Sequence, residues 1–158
     1  MATDRAGSDG VTRIVDVGAK AETDRVAVAE CWVSMTPDAV ARLVAGTRKG
    51  DPIATAKVAG MIGVKKTPDL LPHCHPIRIT GVEIVVEPDP STGRIRVETT
   101  VRAHDRTGVE MEALTAAAVS GLSLYDTAKA FDRSARIDGV RLLSKSGGKS
   151  GDFRAAGV

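Results

Sequence analysis

The sequence predicts an α+β fold in which an antiparallel sheet carries helices packed on one face. Three observations lead there. Four Val- and Ile-rich stretches alternate with the period of two that half-buried strands require: "RVAVAECWVSM", "IRITGVEIVVE", "RIRVETTVRAH" and "GVRLLSK". Two segments open on a capping residue followed by proline, and a third is a long Ala-rich run; all three read as helices. Their order is strand, helices, strand, strand, helix, strand, which is the βαββαβ order of ferredoxin-like domains.

Residues 1–12 are polar and contain glycine, and are expected to form a disordered arm. Residues 13–153 are expected to form one domain, and 154–158 a disordered tail. "TRIVDVGAK" reads as an extended arm. A strand over 25–35 follows. Thr36 then caps a helix with Pro37 at its first position, and Gly46 ends it. Asp51 and Pro52 repeat the device. Small residues along "PIATAKVAGMIG" imply close packing against a neighbour. "TPDLL" at 67–71 reads as a third, short helical turn. Strands over 77–87 and 94–104 are joined by the turn "PDPSTG" into a hairpin. A helix over 112–132, a strand over 139–145 and a glycine-rich tail complete the chain. One sheet face is Val- and Ile-rich and the other mixed, so subunits are expected to associate.

Composition narrows the function. The chain has 158 residues with 42% apolar content, enough for one core without staples, and 3% aromatics, so that core is aliphatic. A formal charge of +2 is too balanced for a general nucleic-acid binder. Two cysteines, Cys31 and Cys74, make no disulfide framework and suit a reducing cytoplasm. The N-terminus lacks the apolar stretch of a signal peptide, and no apolar run is long enough to span a bilayer.

Four stretches carry chemistry. "PHCHP" sets His73, Cys74 and His75 between Pro72 and Pro76. If the prolines hold it extended, the two imidazoles point one way and the thiol the other. A zinc site needs further ligands at fixed spacing, and the chain has no C-x-x-C or H-x-x-x-H pattern, so no metal is expected. The stiff loop instead suits gripping a ligand or moving a proton. "GVEMEAL" sets Glu110 and Glu112 two apart, and paired carboxylates raise one pKa unless cations lie near. Asp126 and Lys129 in "SLYDTAKAF" are helical neighbours embedded in an apolar run. From Glu112 to Asp126 is nearly four turns, which puts them along one stripe. Lys49 precedes a helix start, a natural place for an anion. "GGKS" looks like a phosphate-loop fragment, but that pattern needs glycine where Leu143 stands and a helix afterwards. It reads better as an anion-gripping tail with Lys145 and Lys149.

Six stretches in order resemble one family, the molybdenum-cofactor biosynthesis protein C family of cyclic pyranopterin monophosphate synthases. They are "VDVGAKAET", "KGDPIATAKVAG", "KKTPDLLPHCHPI", "TGVEMEALTAA", "LYDTAKA" and "RLLSKSGGKSGDF", running from Ile14 to Phe153. The family's commonest form has leucine where His73 stands. The resemblance implies a ferredoxin-like catalytic domain that rearranges a cyclised dihydroguanosine triphosphate to cyclic pyranopterin monophosphate with loss of diphosphate. It implies no cofactor, and a homohexamer built as a trimer of dimers with active sites at dimer interfaces. By motif, Asp126 matches the catalytic aspartate, and His73, Cys74, His75, Met111 and Glu112 match substrate-contacting positions. Lys49, Lys65, Glu110 and Lys129 match further functional positions. In this reading Asp126 and Lys129 form an acid/base pair, Lys49 is an acid or phosphate clamp, and Glu112 and His75 hold the base-derived ring. Lys49, Lys65, Lys145 and Lys149 supply cations for the phosphates. A non-catalytic ferredoxin-like nucleotide-binding regulator is the alternative, since fold alone does not separate the two.

Overall fold

The computed structural model describes residues 10–157, so most of the expected N-terminal arm lies outside the described residues. The strands are β1 (Thr23–Ser34), β2 (Ile79–Asp89), β3 (Arg94–Asp105), β4 (Arg136–Ser146) and β5 (Phe153–Arg154). The helices are α1 (Pro37–Val44) and α2 (Pro52–Leu70), between β1 and β2, and α3 (Glu110–Ala128), between β3 and β4. All strand pairs are antiparallel, in the order β2-β3-β1-β4-β5. The first four strands therefore have the ferredoxin-like arrangement expected from the sequence.

The predicted helix signals operate as read. Thr36 Oγ1 accepts from the Ala39 N–H at 3.3 Å, and Asp51 Oδ1 accepts from Ile53 and Ala54 at 2.8 and 3.1 Å. Gly46, at φ +84°, takes the left-handed position after α1. One expectation is corrected: "TPDLL" does not begin a new turn, because α2 runs through Pro68 to Leu70. Pro68 lies in the last turn, where its missing N–H costs the helix one bond, to the Val64 carbonyl. Thr67 before it is buried, and its hydroxyl donates to the Gly63 carbonyl at 3.0 Å. The C-terminal segment is also more ordered than read. Lys145 pairs with Phe153 and Ser144 with Arg154, so the glycine-rich run is the loop of a hairpin.

Odd-numbered residues of β1 and β3, from Ala27 to Val33 and from Ile95 to Ala103, face the helices and are buried. The core they form with Leu43, Val64, Ala113, Ala116, Ala117 and Leu124 is aliphatic, as the composition requires. α3 is fastened to it by two polar contacts. Thr99 Oγ1 donates to the Ala113 carbonyl at 2.8 Å, and the Cys31 thiol donates to the Ala117 carbonyl at 3.0 Å. Burial pushes the Cys31 thiol up to about 12, which keeps it protonated. On the opposite sheet face Glu30 is 3% exposed. Arg96 and Arg141 each donate to it, at 2.7 and 2.8 Å. Burial alone raises this carboxyl, but the two guanidiniums override it and leave it below its ordinary value.

The small residues of α2 let it lie close against α3. The two helices run antiparallel: Gly60 faces Ala116 and Ser120, and Gly63 faces Thr115 and Val119. Ser120 Oγ donates to the Ala56 carbonyl at 3.0 Å. A Cβ on Gly60 would stand 2.3 Å from Ser120 Oγ and 2.6 Å from Ile84 Cδ1. Gly60→Ala is therefore expected to destabilise the fold by about 1–3 kcal/mol despite alanine's better helix propensity. Urea unfolding of the variant beside the parent checks this; equal midpoints would refute the tight packing.

Candidate active site

The antiparallel pair carries the sequence-predicted residues to its two ends. At the C-terminal end of α3, Lys129 Nζ lies 2.7 Å from Asp126 Oδ1. Lys129 first, and then the more distant charge of Lys49, holds the Asp126 carboxyl below its ordinary value; bonding to Asp126 raises Lys129 in turn. Lys49 is thus within electrostatic reach of the pair. It does not use the start of α2 for an anion, since Asp51 already occupies those N–H groups. An open concavity of about 600 Å³, lined by Val44, Gly46, Thr47, Arg48 and Asp51 among others, lies in the loop that carries Lys49.

At the N-terminal end of α3, Glu110 Oε1 accepts from Lys145 Nζ at 2.8 Å, and Lys145 also reaches Ser150 Oγ at 3.3 Å. Burial works to raise Glu110, but Lys145, a backbone N–H and Arg25 together lower it. Glu112 has the opposite fate. It is 2% exposed, and its buried Oε1 has no hydrogen-bond partner. Burial, joined by the charge of Glu110, pushes it up to about 7. The two glutamates therefore divide as the sequence implied, one held ionised by a cation and the other raised by burial. Cys74 lies close by, since burial and then the charge of Glu112 raise its thiol. Met111, between the glutamates, is 40% exposed.

The "PHCHP" loop is not uniformly extended. Cys74 N–H donates to the Leu71 carbonyl at 3.0 Å, closing a turn at Pro72 and His73. His73 is exposed and its Nδ1 lies 3.0 Å from the Arg13 carbonyl; a carbonyl only accepts, so that nitrogen donates. Cys74 and His75 are half-buried instead. The alternation of imidazoles and thiol was expected of an extended segment, and the turn at Pro72 and His73 removes that premise. Lys65 is exposed on the half of α2 beside the N-terminal half of α3, and Lys149 is exposed in the β4–β5 loop. Among the described residues no three His, Cys, Asp or Glu side chains gather as metal ligands.

One chain thus gathers these residues into two clusters, at opposite ends of α3. Asp126 lies fourteen positions beyond Glu112 on α3, about 21 Å at the helical rise. As expected, the two lie along one stripe of the continuous helix, but Glu112 is buried and Asp126 exposed.

Residues 14–148 match the MoaC family. The chain belongs to that family. It is 50% identical over 145 residues to the cyclic pyranopterin monophosphate synthase of Roseiflexus sp. (strain RS-1), covering 91% of this chain and 92% of that protein. It is 47% identical over 160 residues to the protein of the same name from Rhodospirillum rubrum, covering 96% of each. The protein so named from Brucella ovis is 50% identical over 145 residues, covering 91% and 88%. The MoaC-family match covers Lys49, His75, Glu110, Glu112, Asp126, Lys129 and Lys145, and ends just before Lys149.

Sequence reasoning missed Arg25 at this site. Its signal was an arginine in the same alternating register as Ala27, Ala29, Cys31 and Val33, where only a buried charge with assigned partners belongs.

Glu112 yields a pH prediction. Its folded pKa of about 7 lies above the ordinary 4.5, so folding binds a proton between those values. Its contribution is fully favourable below the unfolded pKa and is lost as pH rises through about 7. Glu112→Gln should therefore remove a decline on the order of 3 kcal/mol between pH 4.5 and 8. Urea unfolding across that range tests it; parallel curves for parent and variant would rule out a buried, proton-binding carboxyl.

Proposed function

We propose that this chain is a cyclic pyranopterin monophosphate synthase, a lyase of molybdenum cofactor biosynthesis. It converts (8S)-3',8-cyclo-7,8-dihydroguanosine 5'-triphosphate to cyclic pyranopterin monophosphate and releases diphosphate. The observation that carries this reading is the family membership over residues 14–148, with relatives near half identical along nearly their whole length. No observation favours the regulator alternative.

The reaction needs proton transfers at the purine-derived ring and attack of a hydroxyl on the α-phosphorus as diphosphate leaves. In our reading Asp126 and Lys129 exchange protons with the ring, and their 2.7 Å contact supports the pairing. Lys49 acts beside them as acid or phosphate clamp. Glu112 and His75 hold the ring, helped by Cys74, Met111 and the His73 turn. The unpartnered Oε1 of Glu112 supports this, because a buried carboxyl lacking a partner is costly until a ligand provides one. Lys65, Lys145 and Lys149, with Glu110 orienting Lys145, neutralise the phosphates.

The active unit is a homohexamer, a trimer of dimers with interfacial sites. Two features support it. We read the two clusters, at opposite ends of α3, as half-sites, so a second copy is needed to bring the missing half to each. The helical layer also exposes Val58, Met61, Ile62 and Leu122, an apolar surface suited to another copy. The catalytic domain spans residues 13–153. Among the described residues no helix is long and apolar enough to cross a membrane, and we assign the protein to the cytoplasm, with two free cysteines in keeping.

Lys129→Ala and Asp126→Asn are each expected to lower kcat by about 10²–10⁴ while leaving the fold intact, as for loss of one proton-transfer group. Diphosphate release from the cyclised triphosphate, with GTP as control substrate, measures this. A loss below about tenfold in both variants would remove the pair from the chemistry.

A further inference from the structure

Arg25 lies near the start of β1, in the register of the core-facing residues, and is only 9% exposed. A guanidinium there is costly unless its donors are used. Nε and Nη2 each donate at 3.3 Å, to the carbonyls of Asp105 and Arg106. Those carbonyls stand where β3 gives way to the short connection that delivers Glu110, Met111 and Glu112 on α3. The other side of the guanidinium meets the glycine-rich loop between β4 and β5. A Cβ on Gly148 would lie 1.6 Å from Arg25 Nη1, and one on Gly147 would lie 2.0 Å from the Asp24 carbonyl oxygen and 3.4 Å from Arg25 Cδ. Both glycines have positive φ, +92° and +84°. Only residues without a Cβ let the chain turn this tightly over Arg25. Lys145 precedes the turn, and Lys149 and Ser150 follow it. The loop is closed beyond by the Gly147 N–H donating to Asp152 Oδ1 at 3.3 Å.

One guanidinium therefore touches both segments that build the N-terminal half-site: the entry to α3 with its glutamates, and the loop with its lysines. We propose that Arg25 is a positioning residue that clamps these two segments at the spacing the substrate's phosphates require, with Gly147–Gly148 as the turn seated against it. The inference rests on the reading above that this end of α3 faces the substrate. Arg25 itself acts through Lys145, Lys149 and Glu110. Arg25→Lys keeps the charge but loses the planar fork that spans two carbonyls and the glycine turn at once.

The test is steady-state kinetics with the cyclised triphosphate, together with calorimetric titration of inorganic diphosphate, on the full chain in its assembled form. Lys145→Ala serves as reference for the half-site itself. Arg25→Ala is expected to raise KM and the diphosphate Kd by about tenfold or more with kcat within about threefold, the pattern of lost binding rather than lost chemistry. Arg25→Lys is expected to recover part of the loss. Should Arg25→Ala not fold, Arg25→Lys and Gly148→Ala carry the test. Each is expected to weaken binding, and the double variant to lose no more than the worse single one, as for two residues acting through one contact. Parent-like KM and Kd in Arg25→Lys and Gly148→Ala, beside a Lys145→Ala that loses both, would overturn the positioning role while the half-site reading stands. So would a loss confined to kcat in the Arg25 variants. Parent-like values in Lys145→Ala would overturn the half-site reading, and this inference with it.

Discussion

The close antiparallel contact of α2 with α3 is the constraint from which the rest of the site follows. Gly60 and Gly63 remove the side chains that would hold the helices apart, and the Ser120 hydroxyl fills the space with a bond to the Ala56 carbonyl. Because the helices run in opposite directions, the residues before α2 meet the end of α3, and those after α2 meet its beginning. Lys49 is thereby brought into reach of Asp126, and Cys74 beside Glu112. Neither neighbour relation exists along the chain. A register slip between the helices would dissolve both at once, which explains why the contact is built from small residues that permit one depth of approach.

The same helix then moves its carboxyls in opposite directions. Asp126, exposed and bonded to Lys129, stays ionised. Glu112, two residues inside the helix start and buried, is raised towards neutrality, while Glu110 beside it is lowered by Lys145. Environment, not residue type, assigns the roles, and a site with both an ionised and a readily protonated carboxyl can accept and deliver protons at one pH. About four helical turns of α3 keep the two groups of carboxyls apart within one chain.

The mixed face of the sheet shows how charge can stand in for a covering layer. Glu30 and Glu98 face each other across β1 and β3, a pairing that repels on its own. Arg96 resolves it by donating to both and to Glu87, and Arg141 donates to Glu30 from β4. Arg94 lies over the Trp32 ring at 4.2 Å, which shields the one tryptophan in the same way. The strand order, rather than any local motif, sets these partners side by side.

Element types, their order, both proline-led helix starts and the hairpin turn were legible in the sequence, because period, capping residues and turn chemistry act over a few neighbouring positions. The chemistry-bearing residues were legible as motifs for the same reason. Continuation of α2 through Pro68 was not, since it depends on burial of Thr67 beneath other elements. The place of Arg25 and the ring contact of His73 were hidden likewise, each being settled by contacts with segments tens of residues away. What only the tertiary structure decided was which charges meet. Glu112 loses its water and Asp126 keeps it because one end of α3 is packed under a loop and the other is open, and no spacing along the chain records that difference.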